Sequence, residues 1–381
     1  MKKILILGGS HRDIPLIKAA QELGYFVITL GARDYYIGHR YSDKKYLVDF
    51  NDLDAVKKIY KEENIDYILP GCGEESYLNT VALSEALNIG NFDTLEVAKL
   101  IHNKWRFKEF CLKHDISTPY GFYYHKELDF KEADFPLVIK PTNLSGGNGV
   151  KVVYNSDELQ INIQKALTVS DEIFLEKYLK GDLIAYNVFL ENQKIIYSFS
   201  GADKAYLNPY LVTTAYPISL QKAIETRLKN DIEKLARLLH LKDGMFHLQL
   251  IVENNTPYII DVTRRIPGDL YPDLIEFCDG VQYSKAVVKS YLGCPLKNEF
   301  IKTKNEFIIR HVVMADNNGL YKTLYIDNTL KDKIIYRFDI IESETNIDDY
   351  LEDKIAILFI QTDKEIDNLH NLIYPIIKKE I

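Results

Sequence analysis

The stretch that most restricts what this chain can fold into is a strand that runs into glycines and comes back as a strand. The apolar run Phe135-Pro136-Leu137-Val138-Ile139-Lys140 leads to Ser145-Gly146-Gly147-Asn148-Gly149, and Val150-Lys151-Val152-Val153-Tyr154 then resumes an extended pattern. Such a stretch builds a hairpin with a glycine-rich tip. Glycines let backbone N–H groups approach an anion with no Cβ atom in the way, and Lys140 adds a full positive charge beside them. In a P-loop or a dinucleotide-binding turn the glycines lead from a strand into a helix. Here they sit between two strands, so the expectation is a phosphate grip made by a hairpin.

Length and charge narrow the setting of that grip. A chain of 381 residues can hold two or three domains. Its 47 basic and 55 acidic residues give a formal charge of −8 with no long basic cluster, so nucleic acid is not an expected partner. Cys72, Cys111, Cys278 and Cys294 are widely spaced, with neither a C-x-x-C pair nor a nearby histidine cluster. Neither a zinc site nor a disulfide framework is expected, and a reducing cytoplasm fits best. The opening Met1-Lys2-Lys3-Ile4-Leu5-Ile6-Leu7 loses its apolar character at Gly8-Gly9, unlike a signal peptide. No segment has the length of a membrane-spanning helix.

The first hundred residues alternate strand-like and helix-like patterns, as in a parallel sheet wrapped by helices. The spacing predicts strands at Ile4 to Leu7, Phe26 to Leu30, Tyr46 to Asp49 and Tyr67 to Pro70, with helices at Ile14 to Leu23, Leu53 to Glu63 and Ser76 to Leu87. One helical stretch is expected from Thr94 to His114. Beyond Phe135 hairpins and helices mix: a helix at Glu158 to Thr168, a strand at Ile173 to Tyr178, a hairpin around Glu191-Asn192-Gln193, and a long helix from Gln221 to Leu239. A closing helix is expected at Ile366 to Lys379. No internal repeat or flexible linker interrupts the chain.

A second hairpin, Met245 to Val262, holds polar residues on both strands. With a turn of Asn254-Asn255-Thr256, Glu253 faces Pro257 and Gln249 lies across from Asp261. Side chains alternate along a strand, so Gln249, Asp261 and Thr263 would project to one side. Magnesium takes hard oxygen ligands and usually one or two protein carboxylates, with phosphate and water completing its shell. These three residues could supply that; the same pattern also describes an ordinary polar hairpin face.

Asn103-Lys104, Phe135 to Lys140 with its glycine loop, Phe174-Leu175-Glu176-Lys177-Tyr178-Leu179, His247-Leu248-Gln249 and Asp261-Val262-Thr263-Arg264-Arg265 follow one another in a familiar order. The chain resembles the ATP-grasp enzymes over nearly all of residues 1 to 300, and is similar to half of a carbamoyl phosphate synthetase large chain, to biotin carboxylase and to stand-alone carboxylate–amine ligases. The resemblance implies an α/β fold. Residues 1–102 would form an N-terminal parallel-sheet (pre-ATP-grasp) lobe, and 103–300 the ATP-grasp domain, with a small α+β lid over about 119–178 and a larger lobe behind it. Residues 301–381 would be a C-terminal α+β subdomain packed on that domain.

The resemblance also implies roles. Lys104 and Lys140, with Ser145, Gly146, Gly147, Asn148 and Gly149, match the phosphate grip for ATP. Glu176, Lys177, Tyr178 and Leu179 match the segment that pairs with adenine; the glutamate that usually holds the ribose aligns near Leu183, with Asp182 beside it. Gln249, Asp261 and Thr263 match the ligands of one or two magnesium ions. A glutamine in the first position is the carbamoyl phosphate synthetase pattern, whereas Asp261 and Thr263 stand where the family has glutamate and asparagine. Arg265 and Lys204 match catalytic cations that neutralise the transferring phosphoryl group. Ser10, His11, Glu74, Glu75 and Arg264 are candidate acceptor contacts.

The function implied is ligation. ATP phosphorylates a small carboxylate, and an amine or similar nucleophile attacks the acyl phosphate, releasing ADP and phosphate in the cytoplasm, with neither nucleic acid nor membrane as partner. A homodimer is compatible with this reading. Full carbamoyl phosphate synthesis is not expected from one such unit without a glutaminase. The alternative is an ATP-grasp small-molecule kinase or a non-catalytic ATP-binding regulator. A dehydrogenase is disfavoured because Gly8-Gly9-Ser10-His11 lacks the full G-x-G-x-x-G pattern.

Overall fold

Continuous burial along three of its four strands builds the amino-terminal lobe. In the computed structural model, which describes residues 1–124, 135–141, 149–296 and 298–378, β1 (Lys3–Leu7), β2 (Phe26–Leu30), β3 (Lys44–Tyr46) and β4 (Tyr67–Pro70) form a parallel sheet of order β3-β2-β1-β4. Helices α1 (Ile14–Glu22), α2 (Leu53–Glu62) and α3 (Glu74–Leu87) connect the strands. Ile4 and Ile6 face one side of the sheet with Ile17; Leu5 and Leu7 face the other with Val56 and Leu83. Both faces are covered, as a parallel sheet requires.

The helical stretch expected over 94–114 is two helices, α4 (Leu95–His102) and α5 (Lys104–Lys113). Asn103 divides them. Its backbone is extended, and its side chain accepts a hydrogen bond from the Arg106 amide at 2.9 Å, capping α5. Lys104 is thereby fixed at the first turn of a new helix.

The lid sheet is antiparallel, ordered β5-β8-β6-β7, with β5 (Gly121–Tyr123), β6 (Leu137–Pro141), β7 (Lys151–Val153), helix α6 (Ser156–Ala166) and β8 (Ile173–Lys177). Leu137, Ile139, Val153 and Leu175 pack against Leu159 and Ile163 of α6. The opposite face carries Val138, Lys140 and Glu176, with Val138 paired across from Glu176.

The remaining chain forms an eight-stranded antiparallel sheet, ordered β13-β12-β9-β10-β11-β14-β18-β16. Its strands are β9 (Leu183–Glu191), β10 (Lys194–Lys204), β11 (Thr214–Pro217), β12 (Gly244–Glu253), β13 (Thr256–Thr263), β14 (Phe307–Met314), β16 (Ile334–Asp339) and β18 (Lys354–Thr362). Helix α7 (Lys222–Leu238) covers part of one face through Ile224, Leu228, Ile232 and Leu235, spaced as one stripe of a helix. Helices α8 (Tyr271–Asp279) and α9 (Tyr283–Tyr291) lie toward the first lobe, where α9 packs on α1. Residues after 300, expected as a subdomain packed on the rest, place β14, β16 and β18 in this same sheet, and add a small sheet of β15 (Gly319–Ile326), β17 (Asn346–Ile347) and β19 (Ile373–Lys378).

The closing helix expected at 366–379 is largely the strand β19. Ile373 and Pro375 are buried while Tyr374 and Ile376 are exposed, a period of two, and Pro375 sits on a strand at the sheet edge where a missing N–H is tolerated. Among the described residues no helix is long and apolar enough to cross a membrane.

Candidate active site

The β12–β13 hairpin differs from its expected form twice, and the differences cancel. Its turn has two residues, Asn254 and Asn255, both with positive φ as a two-residue hairpin turn requires, so Val252 rather than Glu253 faces Pro257. A bulge at Ile260 then restores the register, and Gln249 pairs with Asp261 and His247 with Thr263. The bulge also lets Ile260 and Asp261, adjacent in sequence, line the same cleft.

That cleft, of about 430 Å³, lies between the lid and the large sheet. The lid contributes Val138, Lys140, Val152 and Glu176; the large sheet contributes Leu183, Gln249, Ile251 and Asp261; Lys177, Tyr178 and Leu179 join the two jaws. Gly149 adopts φ of +74°, a conformation that favours glycine. Ser145, Gly146, Gly147 and Asn148 lie outside the described residues. Lys104 stands 3.4 Å from Asp261. Lys108, one turn further along α5, is buried, and both it and Lys140 close on the Glu176 carboxylate. Burial lowers both lysines, Lys140 to about 8, reinforced by Lys104 beside it. Burial alone would raise Asp261, but Lys104 and Lys140 outweigh it and hold the carboxyl below its usual range.

A second pocket of about 350 Å³ shares Lys104, Tyr210, Gln249 and Asp261 with the first. It continues toward the amino-terminal lobe and is walled by Arg12, Glu74, Asp203, Thr263, Arg265, Asp269, Tyr271 and Arg310. His102 and His247 also line it, and burial, with Arg265 nearby, lowers each to about 4. Burial pushes the Asp203 carboxyl up to about 7 against the opposing pull of Arg310. The Arg265 guanidinium donates to the Ile266 carbonyl at 3.2 Å, while its Nε is buried with no partner.

Several expected contacts lie elsewhere. Arg264 is buried away from the pocket, donating to Asp93 at 2.8 Å and to the carbonyls of Met245 and Lys242 at 2.6 Å each. Ser10 binds Asp13, whose carboxylate also takes the amides of Gly9 and Cys72 and so closes the first turn. A Cβ on Gly8 or Gly71 would strike that carboxylate. Glu75 is exposed and faces Asn51 at 3.4 Å. His11 stands behind the pocket wall, 3.3 Å from Asp269. Lys204 and Asp182 form an exposed pair at 2.5 Å, and neither lines either pocket.

Residues 133–273 match the family model of the ATP-grasp domain. Over that span the chain is similar to ATP-grasp domains. It is 25% identical over 335 residues to the formate-dependent phosphoribosylglycinamide formyltransferase of Sulfurisphaera tokodaii, covering 84% of this chain and 82% of that protein. It is 24% identical over 294 residues to the carbamoyl phosphate synthase large chain of Saccharolobus solfataricus, covering 69% of this chain and 27% of that one. The fold matches the L-amino acid ligase of Bacillus licheniformis with a TM-score of 0.83 at 17% identity, over 100% of this chain and 99% of that one.

Two residues of the site escaped the sequence reading. Lys108 had a signal, since it lies four residues after Lys104 on the same helix face. Asp203 had a weaker one: on a strand either Asp203 or Lys204 faces inward, never both. On sequence alone the stretch after residue 300, Arg310 included, could complete the acceptor pocket or an oligomer contact, and the pairing of β11 with β14 brings Arg310 beside a pocket built from residues far earlier in the chain.

Proposed function

We propose that this protein is an ADP-forming ATP-grasp ligase, which activates a small carboxylate as an acyl phosphate for attack by an amine or similar nucleophile. The observation that carries the reading is the junction of the two pockets at Lys104, Gln249 and Asp261. A nucleotide seated in the first pocket would present its γ-phosphate to an acceptor in the second. The printed names of the relatives, a formyltransferase, a carbamoyl phosphate synthase and an amino acid ligase, support this class of chemistry.

Each assigned residue then has a physical task. Lys104, Lys140 and Gly149, with Ser145 to Asn148, hold the phosphates; Lys108 and Glu176 fix Lys140 from behind; the backbone of Glu176 to Leu179 meets adenine. Among the described residues no cluster of three or more His, Cys, Asp or Glu could hold a metal. Magnesium would instead be held by Asp261 and Gln249, with Thr263 close by, and by the phosphates, and one ion suffices for a single protein carboxylate. When bound it offsets phosphate charge. A carboxylate oxygen bonds to the γ-phosphorus as the bond to the β-phosphate oxygen breaks. The amine nitrogen then bonds to the acyl carbon, phosphate leaves, and the nitrogen loses a proton. Arg265 stands where charge accumulates in both steps. Closure of the lid excludes water from the acyl phosphate.

The test pairs small carboxylates with amines in the presence of ATP and magnesium. Ligation yields ADP, phosphate and amide in equal amounts, and carboxylate labelled with ¹⁸O delivers one label to phosphate. Phosphate retained on the acceptor would identify a kinase instead, and binding of ATP without turnover a regulator.

A further inference from the structure

The second pocket contains charges that the phosphoryl chemistry leaves uncommitted. Lys104 answers Asp261 at 3.4 Å, and Asp269 is held by Lys354 at 2.7 Å and His11 at 3.3 Å. Asp203 and Arg310 form no ion pair among the described residues, although Gln249 hydrogen-bonds the Asp203 carboxyl and the Arg310 charge acts on both Asp203 and Asp269. Asp203 and Arg310 are at least nine-tenths buried, and Asp203 Oδ1 and Arg310 Nε have no hydrogen-bond partner. The Arg310 guanidinium donates through one NH to the Asp269 carbonyl at 2.9 Å. Tyr271, also buried, offers a hydroxyl with no partner and sets its ring 5.4 Å from the Arg310 guanidinium.

Their spacing is set by the sheet. Asp203 pairs with Ala215, and Ala215 pairs with Arg310, so the three form one row across β10, β11 and β14 and point to one face. The outer two stand about 10 Å apart at the backbone, twice the spacing between neighbouring strands. Between them Ala215 is fully buried, and it is Asp203, Tyr271 and Arg310 that line the second pocket. Gly201 is two residues before Asp203, and a Cβ there would collide with the Tyr271 hydroxyl, so the glycine leaves space for that ring. A buried carboxylate and a buried guanidinium lining one pocket penalise any ligand with a charge of only one sign, which leaves the other group unanswered.

We propose that this row binds a small zwitterion of the α-amino acid class, its ammonium on Asp203 and its carboxylate on Arg310. The direction follows from the neighbours. Asp203 adjoins Gln249 on the wall shared with the nucleotide pocket, whereas Arg310 lies two strands further away. The amino end therefore faces the reacting phosphoryl group, and the amino acid is the amine substrate of the ligase proposed above, a role that rests on that reading.

The protein loaded with magnesium and a non-hydrolysable ATP analogue is titrated by calorimetry with each of the twenty common L-amino acids. The expected result is binding of at least one, with its N-acetyl derivative and its methyl ester each at least tenfold weaker. Asp203→Asn should weaken that amino acid at least tenfold and leave affinity for the nucleotide analogue within twofold, which also reports that the variant is folded. Arg310→Lys should reduce the preference for free acid over ester. The proposal is overturned if none of the twenty binds, if the acetylated form binds equally well, or if Asp203→Asn changes nothing. ADP release by simple carboxylates and amines with no preference for amino acids would overturn it and keep the ligase; amino acid binding with no ADP release would keep the subsite and remove the ligase.

Discussion

The two adjoining pockets are built from different materials. The nucleotide pocket has apolar walls, Val138, Val152, Leu183 and Ile251, and lysines whose carboxylate partners, Asp261 and Glu176, are already in place. In the proposed function its occupant is a flat base with a polyanionic tail, for which compact, mobile ammonium groups suffice. The second pocket has arginines, carboxylates and polar atoms left without partners, drawn from strands of the large sheet, from the residues that follow β13 and from the amino-terminal lobe. Unanswered buried groups are costly, and they reject ligands that do not complete them. Under that proposal the first pocket serves a reagent common to many enzymes, and the second sets what is joined to what.

Substitutions can break or sharpen that contrast. Asp261 serves both pockets, so Asp261→Ala should give the largest loss, about 10³-fold in kcat/KM, as expected when a group that stabilises transition-state charge is removed. The neighbouring arginines should then separate cleanly. Arg264→Ala leaves Asp93 buried without its partner and should destabilise the fold by about 3–5 kcal/mol in urea titration. Arg265→Ala should unfold at nearly the same urea concentration as the parent while lowering kcat about 10²-fold. Equal loss of stability in both variants would erase the distinction.

A smaller effect is expected from pH. With its value lowered to about 8, Lys140 is charged below that pH and neutral above it, so MgATP affinity should be flat on the acid side and fall by up to tenfold per unit above pH 8. Lys140→Arg, charged throughout, should flatten the profile; a decline that persists in this variant would assign the titration to another group. Least affected should be Lys204→Ala. Its side chain forms an exposed pair with Asp182, so turnover should change less than about threefold. A loss of 10²-fold would mean that Lys204 swings into the cleft when nucleotide binds.

Much of this was legible in residues close together in sequence. Helical periodicity and short apolar runs located the helices and strands of the first lobe, because a surface helix buries one stripe and a parallel strand is buried on both faces. The opposition of Gln249 to Asp261 was readable since only one turn separates them, although the route was misjudged: the turn is shorter, and a bulge makes up the difference. Local competition accounts for other departures. Asn103 divides one expected helix by capping the next, and Pro375 lies on an edge strand that pairs with β15.

By itself, the order of residues determined the lid hairpin's apolar strands, the lysines at 104 and 140, and the polar hairpin opposite, since each depends on chemistry spanning a few positions. Tertiary structure decided which of two adjacent residues faces a cavity, turning Asp203 inward and Lys204 outward, and burying Arg264 while leaving Arg265 at the pocket. It also carried Arg310 into a wall begun by Asp203. Strand neighbours are chosen by packing of the whole sheet, and no local pattern records that choice.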